Sequence, residues 1–262
     1  MEQRILNIEQ IEKEREMKER PILFSGEMVR AVLDGRKTMT RRVIDFNKIA
    51  RKTGCTKGTL AYSNTFKSWA VVDGNGSADM CLVNCPYGQP GDRLWVRETW
   101  RIGAWNENFG FVAVDYRSSP ELGKTPWIDA GESFEKLWIQ STEDAMEAGL
   151  SMNSEGAYHW DPGRGPCRWR PSIYMPRWAS RITLEITNIR VERLQDVSEE
   201  DAKREGANGE KYRGQGFEHC IYREAFRTLW DSINAKRGYS WESNPWVWVV
   251  EFERIKEQGR GQ

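Results

Sequence analysis

The stretch Gly35-Arg36-Lys37-Thr38-Met39-Thr40-Arg41-Arg42 lies where a short helix is predicted to give way to a strand. Ser25 is a candidate N-cap for that helix, because its hydroxyl can accept a bond from a free backbone N–H of the first turn. Gly35 occupies the position at which helices commonly end in a left-handed residue. The apolar residues at helical spacing are Met28, Val29, Val32 and Leu33. The pattern therefore predicts an amphipathic helix that ends just before the quoted stretch.

Beyond Gly35 the pattern changes to the alternation that is typical of a strand. One face carries Thr38, Thr40 and Arg42, and the other carries Met39, Arg41 and Val43. Lys37 therefore lies at a helix-to-strand corner, with the Thr40 hydroxyl a few residues further along the chain. An amine and a hydroxyl fixed in this way are able to act as a base and a nucleophile. A lysine after a helix cap is also typical of a solvated surface, and the local pattern leaves both interpretations open.

Four residues of the quoted stretch resemble the signature of the ASCH family, which belongs to the PUA-like superfamily: Gly35, Lys37, Thr40 and Arg42. The usual family pattern has an acid where this chain has Thr40. A threonine at that position resembles the small ASCH amidohydrolases that remove the acetyl group from N4-acetylcytidine, in which a Lys, a Thr and a distant Glu form the catalytic set. The segments 20–25 and 90–100 resemble phage and prophage ASCH proteins.

The resemblance extends to segment 196–205. This segment is similar to the one that supplies the catalytic Glu in those amidohydrolases, and Glu205 lies at the matching position. It implies Thr40 as the nucleophile, Lys37 as the base or proton shuttle, and Glu205 as the group that orients them. A free lysine has a pKa of about 10.4, and a nearby carboxylate raises that pKa further. Lys37 therefore acts as a base only if burial or neighbouring arginines lower its pKa; otherwise it is a cation that stabilises an oxyanion.

Segment 164–181 combines arginines with aromatic residues and contains no acidic residue. Guanidinium groups neutralise phosphate, and aromatic rings stack on unpaired bases. We identify Arg170 and Tyr174 as candidate substrate-binding residues, together with Arg36 and Arg42 of the quoted stretch. The alternative function is therefore an RNA-binding ASCH module, or a related ribonuclease, that acts on single-stranded or structured RNA. A loop with core tryptophans and solvated arginines fits the same pattern.

Composition limits the class of protein. Of 262 residues, 39% are hydrophobic and 30% are charged, which predicts a globular chain. The formal net charge is zero, so binding of nucleic acid depends on a local patch. No apolar run reaches membrane-spanning length and the N-terminus is charged, so we expect a cytoplasmic protein with no membrane partner. The oligomeric state stays open.

The cysteines and the sequence motifs predict neither a metal nor a cofactor. The cysteine count is 5, and an odd number does not fit a complete disulfide framework. Cys81 and Cys85 form one close pair, whereas a zinc site requires two such pairs. The chain also lacks the phosphate-binding and dinucleotide-binding glycine motifs.

We expect an α+β chain that forms a PUA-like (ASCH) β-barrel with flanking helices and two insertions. Residues 1–20 are predicted to form a charged N-terminal helix or arm. Residues 21–262 are predicted to form a single domain, with insertions at about 46–90 and 102–175. The first functional hypothesis is an amidohydrolase acting on an acylated cytosine base in a nucleoside or nucleic acid, and the second is the RNA-binding module.

Individual elements in the second half of the chain follow from periodicity. Alternation that starts at Ile182 slips at Thr187 and resumes at Ile189, which predicts two strands or one bulged strand. We also expect strands over 93–101 and 246–255 and a helix over 218–236. The apolar face of that helix is predicted to carry Ile221, Ala225, Leu229 and Ile233.

Overall fold

The computed structural model describes residues 16–53, 59–63, 68–72, 81–124, 126–154, 156–210 and 221–255. The strands are β1 (Glu19–Leu23), β2 (Met39–Val43), β3 (Thr59–Ser63), β4 (Ser68–Val72), β5 (Cys81–Val83), β6 (Arg93–Arg97), β7 (Trp100–Asn106), β8 (Phe111–Tyr116), β9 (Trp127–Asp129), β10 (Thr183–Arg193) and β11 (Trp246–Ile255). The helices are α1 (Gly26–Leu33), α2 (Phe46–Thr53), α3 (Phe134–Glu147), α4 (Glu199–Arg204) and α5 (Ile221–Asn234). This is an α+β chain, as predicted.

The main sheet has the order β1-β6-β10-β11-β2. β1 pairs with β6 in parallel, and the other neighbouring strands are antiparallel. β10 is a single strand whose register shifts between Ile186 and Asn188, so the bulged-strand interpretation is confirmed. β1 and β2 stand at the two ends of this order, and the described strands show no pairing between them. β2, which carries Thr40, is therefore an edge strand.

Both faces of the main sheet are buried, most clearly along β11. Trp248, Val250 and Phe252 belong to a core on the face that α1 covers. Val247 and Val249 belong to a second core, which α4 and α5 complete on the other face. The apolar run of β11 fits this arrangement, because a strand covered on both sides does not need to alternate with polar residues.

A smaller sheet with the order β7-β8-β9 packs on α3 and has its own core. Trp100, Val112, Leu137 and Met175 are among its buried residues. This part corresponds to the predicted insertion at 102–175. The third sheet, with the order β3-β4-β5, lies within the predicted insertion at 46–90.

The strand predicted over 93–101 is confirmed over Arg93–Arg97, but it is not one continuous strand, because the chain then leaves the main sheet and enters the smaller sheet at Trp100. Between these two strands the side chain of Glu98 is buried. Its carboxylate accepts hydrogen bonds from Arg181, at 2.9 Å and 3.0 Å. A buried carboxylate requires a hydrogen-bonding cation, and for Glu98 this cation is Arg181, between the two sheets.

The N-terminal segment ends earlier than predicted. Glu19 and Arg20 lie in β1, opposite Arg93 and Leu94 of β6, and Arg20 forms an ion pair of 2.7 Å with the buried Asp92. Residues 1–15, which carry most of the predicted helix or arm, lie outside the described residues. None of the helices within the described part is long and apolar enough to cross a membrane.

Candidate active site

The corner that carries Lys37 forms as the sequence predicts. The Ser25 hydroxyl accepts a hydrogen bond from Met28 N at 3.4 Å and caps α1. Gly35 adopts a left-handed φ of 73°, which reverses the chain at the end of the helix. Lys37 N then donates to Ala31 O at 2.9 Å, so the lysine backbone stays bonded to the helix that precedes it.

Lys37 is joined to Glu205 by both backbone and side chain. The two residues form an isolated antiparallel bridge, and Thr38 N donates to Arg204 O at 2.9 Å. Lys37 Nζ donates to the Glu205 backbone oxygen at 2.7 Å and to Glu205 Oε2 at 2.8 Å. Both side chains are buried, at 0% and 4% exposure. Two segments far apart in sequence therefore place an amine and a carboxylate in direct contact.

Glu205 is positioned by the end of α4. Ser198 caps the start of that helix, with Asp201 N donating to its hydroxyl at 3.0 Å. Glu205 is the C-cap, and Gly206 follows with a left-handed φ of 82°. A Cβ at position 206 would lie 2.9 Å from Ala31 Cβ and 3.1 Å from Lys37 Cβ. Glycine is thus required there for the close approach of α4 to the Lys37 corner.

Arg41 completes a buried charge cluster around Glu205. Its Nη1 donates to Glu205 Oε1 at 3.3 Å. Its Nη2 donates to Glu192 at 2.9 Å and to Asp201 at 2.8 Å. The Arg41 side chain has 0% exposure, so these carboxylates compensate a fully desolvated guanidinium. The sequence pattern placed Arg41 on the face of β2 opposite Thr40 but did not identify this role.

The pKa of the Lys37 amine is lowered from its ordinary value, chiefly because burial disfavours the charged form. The charge and hydrogen bond of Glu205 act in the opposite direction, and the charges of Arg42 and Arg41 lower the pKa further. This is the condition that base chemistry at Lys37 requires. Arg36 does not contribute to it: its exposed side chain pairs with Asp34 at 2.9 Å.

A cavity of about 120 Å³ opens beside this cluster, between the β2 edge and α5. Thr40, Arg42 and Glu205 line it, so Lys37 reaches it through its bonded partner Glu205. Its aromatic walls are Tyr87, Phe226 and Trp230. Its volume corresponds to about four water molecules, which is enough for a group of a few non-hydrogen atoms, while the rest of a larger ligand would lie at its mouth. The structure thus brings Thr40, Glu205 and Arg42 to one cavity with Lys37 directly behind them in the hydrogen-bond network.

Arg42 also has a structural contact. Its Nη2 donates to the Leu23 backbone oxygen at 2.7 Å, and its guanidinium lies 5.5 Å from the centre of the Phe24 ring. The side chain therefore links β2 to the end of β1 while it lines the cavity. This position fits the ligand contact expected from the sequence and a structural contact as well.

Arg170 and Tyr174 lie elsewhere, in a second cleft of about 700 Å³ that α3 and segment 168–178 enclose. Most arginines of the predicted basic stretch are paired with carboxylates: Arg164 with Asp161, Arg168 with Asp144, Arg177 with Glu19, and Arg181 with Glu98. Arg170 instead stacks on Trp100 at 5.3 Å, and burial lowers its pKa. The stretch is thus largely structural, with Arg170 as the exception.

The sequence did not identify the aromatic walls of the first cavity, because these residues have the spacing that is typical of a hydrophobic core. Phe226 and Trp230 are buried on the face of α5 that packs against the sheet. The sequence stripe instead predicted a face with Leu229 and Ile233, which line the cavity rather than the core. The spacing of Phe226 and Trp230 (i, i+4) was the available signal, but it does not separate a cavity wall from a core.

No cluster of three or more potential metal ligands occurs among the residues that the structure describes. Cys85 and Cys167 are free thiols, and burial raises the pKa of Cys85 to about 11. A thiol with that pKa stays protonated at neutral pH and is a poor ligand. The side chain of Cys81, the other member of the close pair, lies outside the described part.

Comparisons with protein-family models, with curated proteins and with solved structures find no significant match to this chain.

Proposed function

We propose that this protein is an amidohydrolase that removes an acyl group from the exocyclic nitrogen of an acylated cytosine base, as the resemblance to the ASCH amidohydrolases implies. The observation that carries the proposal is the buried contact of Lys37 with Glu205 beside a cavity that Thr40 lines. These three residues are the ones that the resemblance assigned to catalysis. Lys37 and Thr40 belong to one short stretch, and Glu205 comes from a segment 168 residues from Lys37.

A PUA-like barrel is part of the same proposal. In the main sheet the end strands β1 and β2 are not paired within the described part, yet Arg42 on β2 donates to Leu23 at the end of β1 at 2.7 Å. Phe24, next to Leu23, packs 6.1 Å from Phe252 on β11. The sheet therefore curls so that its two ends approach each other, which is the curvature that a barrel needs.

The proposed reaction has two steps. The Thr40 hydroxyl oxygen attacks the acyl carbonyl carbon, and its proton passes to the Lys37–Glu205 pair, with the amine as the acceptor. The C–N bond breaks as Lys37 returns that proton to the leaving nitrogen, which departs as the amino group of cytosine. Water then hydrolyses the ester on Thr40, which releases the carboxylic acid and restores the hydroxyl.

The cavity also supports recognition of the base. Tyr87 is half-buried and offers a ring to the base, Phe226 and Trp230 form buried apolar walls, and Arg42 offers N–H donors to carbonyl or phosphate oxygen. If Lys37 stays charged in the complex, the same geometry serves a second role: the ammonium and Arg41 then stabilise the oxyanion of the tetrahedral intermediate.

The test is deacetylation of N4-acetylcytidine, followed by mass spectrometry with purified protein. We expect Lys37→Ala and Thr40→Val to lower the rate by roughly 10²- to 10⁴-fold, because a positioned base or nucleophile contributes that much. Arg36→Ala is the matched control, since Arg36 is a neighbouring exposed cation, and it should retain full activity. Circular dichroism verifies that each variant is folded. Full activity in folded Lys37→Ala and Thr40→Val, or no activity of the unmodified protein on acylated cytosine, would refute the proposal.

A second candidate function, binding of single-stranded RNA, rests on the second cleft. Three N–H groups of residues that line it are buried without an acceptor: Trp100 Nε1, Trp178 Nε1 and Arg170 Nη2. Such donors are rare in folded proteins. Because these three atoms are buried, their side chains must turn toward the cleft before phosphate or base oxygens accept from them. Tyr174 adds a ring that is 69% exposed and available for stacking.

Fluorescence anisotropy with labelled single-stranded RNA at several salt concentrations tests this second candidate. Tyr174→Ala should weaken binding by about 1–3 kcal/mol if one base stacks there. Phe109→Ala is the control, because Phe109 is similarly exposed, at 72%, and lies outside this cleft. Equal effects of the two substitutions would argue against the cleft. Tight, salt-sensitive RNA binding without acetate release would favour this function over the amidohydrolase.

A further inference from the structure

A third cavity, of about 220 Å³, lies between β7, α3 and segment 156–160. Four aromatic side chains line it: Trp105, Trp138, Tyr158 and Trp160. It shares no lining residue with the Lys37 cavity or with the cleft that Arg170 lines. Neither of the functions proposed above uses it.

The ring walls of this cavity are angled to each other. Trp105 and Trp160 have centroids 5.0 Å apart and an interplanar angle of 50°. Trp105 and Tyr158 are 6.2 Å apart at 63°. A flat nucleobase requires a parallel slot, whereas angled walls present several ring faces to one rounded group. The shape therefore favours a compact, roughly spherical ligand.

The cavity is fixed before any ligand binds. Trp160 Nε1 donates to Gly103 O at 2.9 Å, which sets the orientation of its ring. Trp105 belongs to β7, and Trp138 belongs to α3, so two of the four rings stand on regular elements. Rings held by rigid elements lose little conformational entropy on binding.

The charges around the cavity favour a cation. Glu107 is the acidic residue of its lining, His159 also lines it, and the lining includes no lysine or arginine. Elsewhere in this protein guanidinium groups lie over aromatic rings, as Arg170 does over Trp100 at 5.3 Å and Arg223 over Trp241 at 5.4 Å. Within the described part, no lysine or arginine lies over any of the four rings of this cavity. Their faces are thus available to a cation from outside.

We propose that this cavity binds a quaternary ammonium group, carried either by a small choline-like molecule or by a trimethylated lysine side chain. The ring faces attract the cation through their quadrupoles, and the Glu107 carboxylate adds a full opposite charge. The volume corresponds to roughly seven water molecules, which is enough for the five non-hydrogen atoms of a tetramethylammonium ion. The proposal is independent of the amidohydrolase activity.

Isothermal titration calorimetry with tetramethylammonium, choline and a trimethyllysine peptide tests the proposal. We expect saturable binding with a Kd on the order of 1 mM or lower for the cations. The neutral isostere 3,3-dimethylbutan-1-ol should bind at least about ten-fold more weakly, because it has the same shape without the charge. Tighter binding of choline or of the peptide identifies the source of the ammonium group. No saturable binding, or equal affinity for the neutral isostere, overturns the proposal.

Substitutions then locate the site. Trp138→Ala should weaken cation binding by roughly five- to thirty-fold, as expected for the loss of one ring. Glu107→Gln should weaken it as well, while affinity for the neutral isostere stays the same. Trp127→Ala is the matched control, because Trp127 is an exposed tryptophan, at 52%, outside this cavity. Unchanged affinity in Trp138→Ala and Glu107→Gln would place the binding elsewhere and overturn the assignment.

Discussion

Lys37 is subject to opposing electrostatic effects, and burial is the largest of them. Its pKa in the folded protein lies below the ordinary value of 10.5. Between these two values the unfolded chain binds a proton at this amine and the folded chain does not. The free energy of unfolding therefore rises with pH across that window. The contribution is fully present above the ordinary pKa and is lost as the pH falls through the folded pKa.

Lys37→Met should remove this pH dependence. Urea unfolding of the unmodified protein and of the variant, measured from neutral pH to about pH 10.5, gives the difference in slope. We expect the unmodified protein to gain stability relative to Lys37→Met as the pH rises. A constant difference between the two proteins over this range would contradict a lowered lysine pKa and would weaken the case for base chemistry.

Arg41 is predicted to be the most sensitive residue of the charge cluster. Arg41→Met leaves Glu205 without one of the two side chains that donate to its carboxylate, and Asp201 and Glu192 with one bond fewer. Removing one partner of a buried ion pair typically costs about 3–5 kcal/mol. Arg36→Met, at an exposed position five residues earlier in the same stretch, should change the free energy of unfolding by less than about 0.5 kcal/mol. Equal losses in urea unfolding would contradict the role of Arg41.

At the residue scale, the sequence predicts the Lys37 corner and not the Arg41 cluster. Ser25 and Gly35 are local signals, because a cap and a left-handed residue act within one helical turn. The burial of Arg41 depends on α4 and β10, which contribute Asp201 and Glu192 from distant segments. Alternation in a strand gives two faces but does not state which partners cover each of them.

At the scale of elements, Gly206 determines how closely α4 approaches α1. Gly206→Ala adds the strain of a left-handed alanine, roughly 1–2 kcal/mol, and a contact of 2.9 Å with Ala31 Cβ. Gly238→Ala is the matched control, because Gly238 has a similar φ of 85° and no atom within 4 Å of the added Cβ. We expect Gly206→Ala to be the more destabilising by about 1–3 kcal/mol, the usual penalty of overpacking. Equal thermal shifts would contradict a tight α4–α1 contact.

The elements themselves were predicted with uneven success, and α5 shows why. Its predicted face carried Ile221, Ala225, Leu229 and Ile233. Of these, Ala225 is buried, and Ile233 is 42% exposed. The buried face instead carries Phe226 and Trp230, because large aromatic rings gain more from packing on β2 and β11 than aliphatic side chains do. A helix with apolar residues on two adjacent faces does not reveal its orientation from periodicity alone.

At the scale of the whole molecule, the net charge is zero, and several of the arginines and carboxylates that cancel each other form ion pairs within the fold. The arginine-rich stretch at 164–181, which suggested a nucleic-acid surface, binds carboxylates from β1, α3 and the β6–β7 connection. These contacts join segments that lie more than 20 residues apart, as the pairing of Arg168 with Asp144 illustrates. The composition of a segment does not tell whether its arginines bind carboxylates of the same protein or the phosphates of a nucleic acid.

Arg181 and Glu98 hold the main sheet to the smaller sheet. Glu98 lies between β6 and β7, and Arg181 lies just before β10. Arg181 donates to both oxygens of Glu98 and to Ser118, which follows β8. Its guanidinium also lies 4.1 Å from the centre of the Tyr116 ring. Because the Glu98 side chain is only 2% exposed, water cannot replace Arg181 as its hydrogen-bond donor.

Arg181→Met should therefore destabilise the protein by about 3–5 kcal/mol in urea unfolding. Because most of that loss comes from the unpaired carboxylate, adding Glu98→Gln to Arg181→Met should restore part of it. Arg164→Met, in the same stretch but 82% exposed, should change the free energy of unfolding by less than about 0.5 kcal/mol. If the double variant is less stable than Arg181→Met by the full effect of Glu98→Gln alone, the two residues act independently. The contact would then not be what joins the two sheets.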